Sequence, residues 1–527
     1  MKKLLALLLA LVMVLSFVAC AQNEEPTEPT EPTEPTEPTE PTEPETHARL
    51  EHADWADDVK AGINDMLATY GIDSENYKED TYAVFDFDNT CSIFDVEEQL
   101  AIYQLETMTF AFTPDELPAI LSEGIGDHEE IRKNDYAADS TYTQWINDIT
   151  KAYTYLYEQY GPFTAKGLDE AAQATIQADP QWLEFATKMR AMYGLIGDGE
   201  SVDVSYPWVL YWFTGMTEQE VYDLAYASHS KYKDVESEYV TLTSPEEIKS
   251  EVGVVSIEVT RGTAVSDNIV ELWKALDENG IDVWVCSASA TDPIRAAIDV
   301  WGLHDYCTGM LAMTNKETED NVYVLGYDYE NGCGWFANED GTWTRDTLPT
   351  KAQTQGVGKT TAIVNAIAPH YNDHGPIACF MDSTGDFNFC TEFETLKAVI
   401  CFNRANRKPK DGGGIIAAVA MYEKDTLGYD FAKADAAGDT LYFLQGREEN
   451  GLRSLRNSNA TMRLDKTEEI LFADGVQDVL DYMIANNMTV KDAIDLFAIK
   501  TAADAENNVI GVQYGCLKEY AGYHYHA

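Results

Sequence analysis

The 527 residues are enough for one large domain and an elaborated second one, and a hydrophobic content of 45% is that of a chain with a core to bury. Asp and Glu number 91 against 36 Lys and Arg, a net charge of −55. Like-charge repulsion on that scale excludes nucleic acid and anionic membrane surfaces as partners.

Residues 1–20 read as an export signal: Lys2 and Lys3, an apolar run from 4 to 18, then Ala19 and Cys20. A cysteine closing such a run behind a small residue resembles the lipobox of bacterial lipoproteins, although Phe17 stands where leucine is usual. The resemblance implies lipidation at Cys20 and a protein held on the extracellular face of the cell membrane by that lipid alone. Residues 21–46 contain six Glu-Pro-Thr triplets in succession, at 25–42, with nothing hydrophobic among them. Proline at every third residue favours extended polyproline II, so this spacer reaches on the order of 60 Å without folding.

A helix is expected over 55–70, and the period then changes at Tyr82-Ala83-Val84-Phe85, a buried strand that delivers Asp86-Phe87-Asp88-Asn89-Thr90 at its carboxyl end. Similar strands follow at 283–286, 377–381 and 398–402, with helices at 269–278 and 293–300 between them. Strand and helix in alternation predict an α/β fold with a parallel Rossmann-like sheet, whose sites form at the carboxyl ends of the strands.

The stretch 93–265 reads mainly as helix inserted after the first strand. Trp145, Ile149, Ala152, Leu156 and Tyr160 share one helical face. Capping boxes at Thr113 with Glu116, Thr217 with Glu220, and Ser244 with Glu247 each predict a helix start. Residues 47–92 and 266–427 make the two parts of the core, with hairpins at about 322–343, and 428–527 has no assignable fold. Cys286, Cys379 and Cys401 lie in strand runs and read as reduced core residues, and no CxxC pair supports zinc. His524 and His526 read as a polar tail.

Two aspartates at i and i+2 after a buried strand call for a cation between them. Asp86-Phe87-Asp88-Asn89-Thr90 resembles the first motif of haloacid dehalogenase-type phosphatases, and three further pieces follow in that family's order. Residues 283–287, a strand ending in Ser287, are similar to the second motif. Lys359 at a helix head suits the third, and Asp382 with Asp386 the fourth, although Met381 replaces the usual preceding glycine. The stretch Gly356-Val357-Gly358-Lys359-Thr360 is not a nucleotide-binding loop, because Gln353 stands where that loop needs glycine.

The resemblance implies a core with a large helical cap after the first strand and assigns roles. Asp86 is the nucleophile, and Asp88 is the acid and then the base. Ser287 and Lys359 grip the phosphoryl group, and Thr90 also binds the substrate. Mg²⁺ is held by Asp86, the backbone carbonyl of Asp88 and Asp382, with Asp386 in support. The wording of residues 85–90, 95–100, 283–288 and 444–447 resembles the phosphorylcholine phosphatase branch, related to phosphoserine phosphatases. A quaternary ammonium is recognised by aromatic faces and carboxylates, and the insertion offers Tyr206, Trp208, Tyr211 and Trp212. The expected function is hydrolysis of a small phosphate ester. A broad-range or phosphoserine-type phosphatase remains the first alternative and a noncatalytic surface-binding lipoprotein the second.

Overall fold

The computed structural model describes residues 47–497 apart from 201, 234, 330–333, 406–411 and 452. The export signal, Cys20, the spacer 21–46, and His524 with His526 lie outside the described residues. No helix among the described residues is long and apolar enough to cross a membrane.

Eight strands form the central sheet: β1 (Tyr82–Phe85), β2 (Asp282–Ala290), β3 (Gly309–Met313), β4 (Gly334–Ala337), β5 (Trp343–Arg345), β6 (Ala378–Met381), β7 (Ala398–Phe402) and β8 (Leu441–Gln445). Their spatial order is β5-β4-β3-β2-β1-β6-β7-β8. All neighbours from β3 to β8 run parallel, while β4 and β5 add an antiparallel hairpin at one edge. The chain first builds outward from β1 through β2 and β3, then returns to build β6, β7 and β8 on its other side. The order therefore reverses between β1 and β6, the place where an open parallel sheet leaves a crevice at its carboxyl edge.

The near-continuous apolar strands reflect burial on both faces. Ala83 and Phe85 join Val283, Val285, Ala378 and Phe380 in a core under the helices Asp57–Tyr70, Asp267–Glu278 and Thr291–Val300. Tyr82 and Val84 join Trp284, Cys286, Cys379 and Met381 in a second core under Val357–Ala362, Gly412–Tyr422 and Val476–Asn486. Phe85 and Phe380, paired across β1 and β6, stack with ring centroids 3.8 Å apart. Cys286, Cys379 and Cys401 are buried and form no disulfide among the described residues.

Between β1 and β2 the chain makes a third, helical core. Trp145, Ile149, Ala152 and Leu156 are buried along the helix Tyr142–Tyr160, with Tyr160 packed at its margin. The capping box of Thr217 and Glu220 opens Glu218–Tyr232 as expected. The other two behave differently. Glu116 does accept from Thr113, but the helix there starts at Leu117, after a turn. No helix follows Ser244: its hydroxyl accepts from Val255 N at 2.9 Å and closes the hairpin of Glu238–Thr243 with Ser256–Arg261. Six paired residues on each strand of that hairpin outweigh the local capping preference. Among the described residues, the segment from 428 on supplies edge strand β8, a small sheet of its own and three helices.

Candidate active site

Asp86 and Asp88 follow β1 directly, and Asp382 follows the neighbouring β6, so the reversal of strand order brings the two acidic segments side by side. Asp86 N donates to Phe380 O at 3.1 Å, which extends the β1–β6 pairing up to the first acid. Asp386 lies one short helical turn beyond Asp382, where its Oδ2 faces the backbone N–H groups of Asp382 and Ser383 at 3.3 and 3.4 Å. Carboxylate oxygens of Asp86, Asp382 and Asp386 all come within 4.8 Å of one another, and all three residues are buried.

Among the described residues, Lys359 and Arg404 offset that charge. Lys359 Nζ stands 2.6 Å from Asp86 Oδ1 and 2.6 Å from Asp386 Oδ1. Arg404 Nη1 stands 2.9 Å from Asp382 Oδ2. Burial alone would lower the Lys359 pKa, but the charges of Asp386 and Asp86 outweigh it and hold the lysine cationic. Burial pushes the Asp86 carboxyl above its ordinary range; Lys359 opposes this and Asp382 adds to it. Three carboxylates this close offer hard oxygen donors, and such donors suit a small divalent cation.

Asp88 has separate supports. Its Oδ1 accepts from Val96 N at 2.7 Å and its Oδ2 from Ser289 Oγ at 2.6 Å. Burial lifts its carboxyl to about 7, so a proton can be given or taken near neutral pH. Thr90 Oγ1 donates to Asp86 Oδ2 at 3.1 Å and orients it. Ser287 departs from the expected strand end: β2 runs on to Ala290, with a register shift between Cys286 and Ala290. Ser287 Oγ is turned toward Ser289 N at 3.1 Å and lies 3.5 Å from Asp88 Oδ2, while Ser289 takes the place lining the cavity. The bulge two residues past the motif is what hides Ser289 from a reading of the sequence.

These groups open into a cavity of about 310 Å³. Asp86, Asp88, Lys359, Asp382 and Asp386 line it from the sheet edge, and the insertion contributes Asp95, Glu97, Glu98, Arg190, Tyr193, Tyr206 and Trp212. Burial, with Asp95 beside it, lifts the Glu97 carboxyl to about 8. Of the aromatic run, Tyr206 and Trp212 line the cavity, and Trp208 and Tyr211 do not. Trp208 is buried in the helical core with Nε1 donating to Leu121 O at 3.0 Å, and Tyr211 is buried in the same core. Trp212, at the 3₁₀ turn Tyr211–Phe213 that follows the helix Val202–Leu210, is also buried in that core and packs edge-on against Trp208 with ring centroids 5.7 Å apart.

No protein-family model and no curated protein matches the chain. Among solved structures it is similar to a conserved functionally unknown protein from Anaerococcus prevotii, at 25% identity and TM-score 0.63, over 80% of this chain and 100% of that one. A cytosolic 5'-nucleotidase IIIB bound to cytidine aligns at 14% identity and TM-score 0.25, over 66% of this chain and 78% of its own, too low to support a shared fold.

Proposed function

We propose that this chain is a magnesium-dependent phosphomonoesterase of the haloacid dehalogenase type with Asp86 as nucleophile. The observation that carries the reading is the juxtaposition of Asp86, paired at 2.6 Å with Lys359, and Asp88, whose proton is labile near neutral pH, at one end of one cavity. A carboxylate beside a lysine can receive a phosphoryl group whose charge it would otherwise repel.

In this reading a phosphate ester enters between Asp86 and Lys359. A carboxylate oxygen of Asp86 attacks phosphorus, the bond from phosphorus to the ester oxygen breaks, and the Asp88 carboxyl gives its proton to that oxygen. The resulting Asp88 carboxylate then takes a proton from a water, which attacks phosphorus and releases phosphate from Asp86. Thr90 keeps Asp86 aimed, and Ser289 with Val96 N keeps Asp88 in place. Asp86, the Asp88 backbone carbonyl and Asp382 would hold Mg²⁺, with Asp386 behind them, and the bound ion supplies neutralisation of the phosphoryl oxygens.

The leaving alcohol we read as a cationic one, probed first as choline. Support comes from the rings of Tyr193, Tyr206 and Trp212 beside the Glu98 carboxylate. Cys20 and the spacer complete the proposal as a lipid anchor on the outer face of the membrane. The test is a screen of residues 47–527 against phosphorylcholine, phosphoethanolamine, phosphoserine and an aryl phosphate, with Mg²⁺ or with excess chelator. Fastest turnover of phosphorylcholine, abolished by chelator, is expected. Equal rates on all four would leave the broad-range phosphatase, and no hydrolysis would leave the noncatalytic binding lipoprotein.

A further inference from the structure

β8 leaves the sheet through Gln445-Gly446-Arg447, a turn in the segment to which the sequence assigns no fold and which the reaction above does not use. Gln445 Oε1 accepts from Ala56 N at 2.9 Å, and its Nε2 donates to the carbonyls of Gly446 and Arg456, both at 2.7 Å. A Cβ on Gly446 would stand 2.1 Å from the Ala460 carbonyl oxygen, so only glycine lets the two backbones approach this closely. The turn carries Arg447 into the interior, where it is 2% exposed.

The guanidinium has two partners there. Nε and Nη2 donate to Glu449 Oε1 at 2.9 and 2.7 Å, and Nη1 donates to the Asn89 carbonyl at 2.9 Å, with Nη2 3.4 Å from Asn89 Oδ1. Glu449 is anchored in turn, its Oε2 accepting from Leu464 N at 3.0 Å. Asn89 lies between Asp88 and Thr90 and has a φ of +62°, in the left-handed region. Its carbonyl is buried, and among the described residues Arg447 is the hydrogen-bond donor that reaches it. A buried guanidinium is costly to desolvate, and an apolar side chain could fill the space at less cost. What the arginine adds is a fixed fork that locks one peptide of the loop carrying both Asp86 and Asp88.

The same small sheet reaches the second acidic segment. Arg447 N donates to Thr461 Oγ1 at 3.1 Å, and the Thr461 hydroxyl donates to the carbonyl of Asn403, the residue before the Arg404 that pairs with Asp382. We propose that Arg447 is a positioning residue. By holding the Asn89 carbonyl it orients the peptides on either side of Asn89, and with them the Asp88 carbonyl offered to Mg²⁺ and the Thr90 hydroxyl on Asp86. The inferences about turnover and about the Asp88 carbonyl as a ligand rest on the phosphatase reading; those about loop geometry and ion binding at Asp86, Asp382 and Asp386 do not.

The experiment compares the full chain with Arg447→Ala, Arg447→Lys and Glu449→Gln. It measures kcat and KM on an aryl phosphate, Mg²⁺ binding to metal-free protein by calorimetry, and the thermal midpoint. Arg447→Ala is expected to lower kcat and weaken Mg²⁺ binding, each by about 10–100-fold, with KM nearly unchanged. Added guanidinium ion should restore part of both, and Arg447→Lys should fall between. Parental kcat and Mg²⁺ binding in a folded Arg447→Ala would overturn the proposal, as would losses that track only the folded fraction and ignore guanidinium. If Arg447→Ala does not fold, Glu449→Gln decides: weaker Mg²⁺ binding at an unchanged midpoint supports the proposal, and parental binding overturns it. A parent that hydrolyses no ester would sink the phosphatase reading while the calorimetry still judges Arg447.

Discussion

Ser289 donates its hydroxyl to Asp88 at 2.6 Å from within a strand that bulges just before it. That bond favours the Asp88 carboxylate, while burial favours the neutral acid and wins, lifting the group to about 7. Ser289→Ala should therefore raise the pKa of Asp88 further. On an alkyl phosphate, which needs a protonated acid for its leaving group, the alkaline limb of the pH–rate profile should move to higher pH. An aryl phosphate, which leaves more easily, should respond less. An alkaline limb that stays in place would separate Ser289 from the proton chemistry.

Trp212 and Trp208 should answer differently. Trp212 lines the cavity, and one desolvated cation–π contact is worth about 2 kcal/mol, roughly thirtyfold in affinity. Trp212→Ala should weaken phosphorylcholine turnover by about that factor and barely change an aryl phosphate. Trp208 only fills the helical core, so Trp208→Ala should cost about 3–5 kcal/mol of stability with no change in substrate preference. Parallel kinetics and melting of the two variants check this, and equal losses on both substrates for Trp212→Ala would make it a packing residue too.

His229 predicts an acid-sensitive fold. It is fully buried at the end of the helix Glu218–Tyr232, with Nε2 3.1 Å from the Pro293 carbonyl, and burial lowers its pKa to about 4. The unfolded chain binds this proton near pH 6.5, so the neutral ring contributes full stability above that pH and loses it as pH falls toward 4. The difference is about 3 kcal/mol at most. His229→Gln should flatten the fall of the thermal midpoint between pH 6.5 and 4 relative to the parent, and an unchanged slope would contradict it.

The anchor is tested in cells. Cys20→Ser should release the protein from the membrane fraction at unchanged specific activity, since none of the residues proposed for catalysis lies in 1–46. Retention in the membrane fraction at high salt would mean that something other than a lipid at Cys20 holds it.

Much of the sheet is legible in the sequence because a strand buried on both faces leaves an unbroken apolar run, as Tyr82–Phe85 does, and the acids at its end are conspicuous against that background. The meeting of Asp86, Asp88, Lys359, Asp382 and Asp386 follows once those strands are taken as parallel neighbours. Other features depend on contacts between distant parts of the chain and leave no local signal. Arg447 reaches Asn89 across 358 residues, and Ser289 reaches Asp88 across 201. Ser244 carries a sound capping pattern that strand pairing overrules. Trp208 and Trp212 look equivalent in the sequence and pack on each other in the helical core, and only tertiary contacts set Trp212 at the cavity.

The most direct test of the central claim is to trap the covalent intermediate. The protein is mixed with Mg²⁺ and an aryl phosphate, quenched, and reduced with borohydride, which converts an aspartyl phosphate to homoserine, and peptides spanning 82–98 are sequenced by mass spectrometry. Homoserine at position 86, absent without substrate and absent in Asp86→Asn, is the predicted result. Hydrolysis that persists in Asp86→Asn with no modification at 86 would contradict the account.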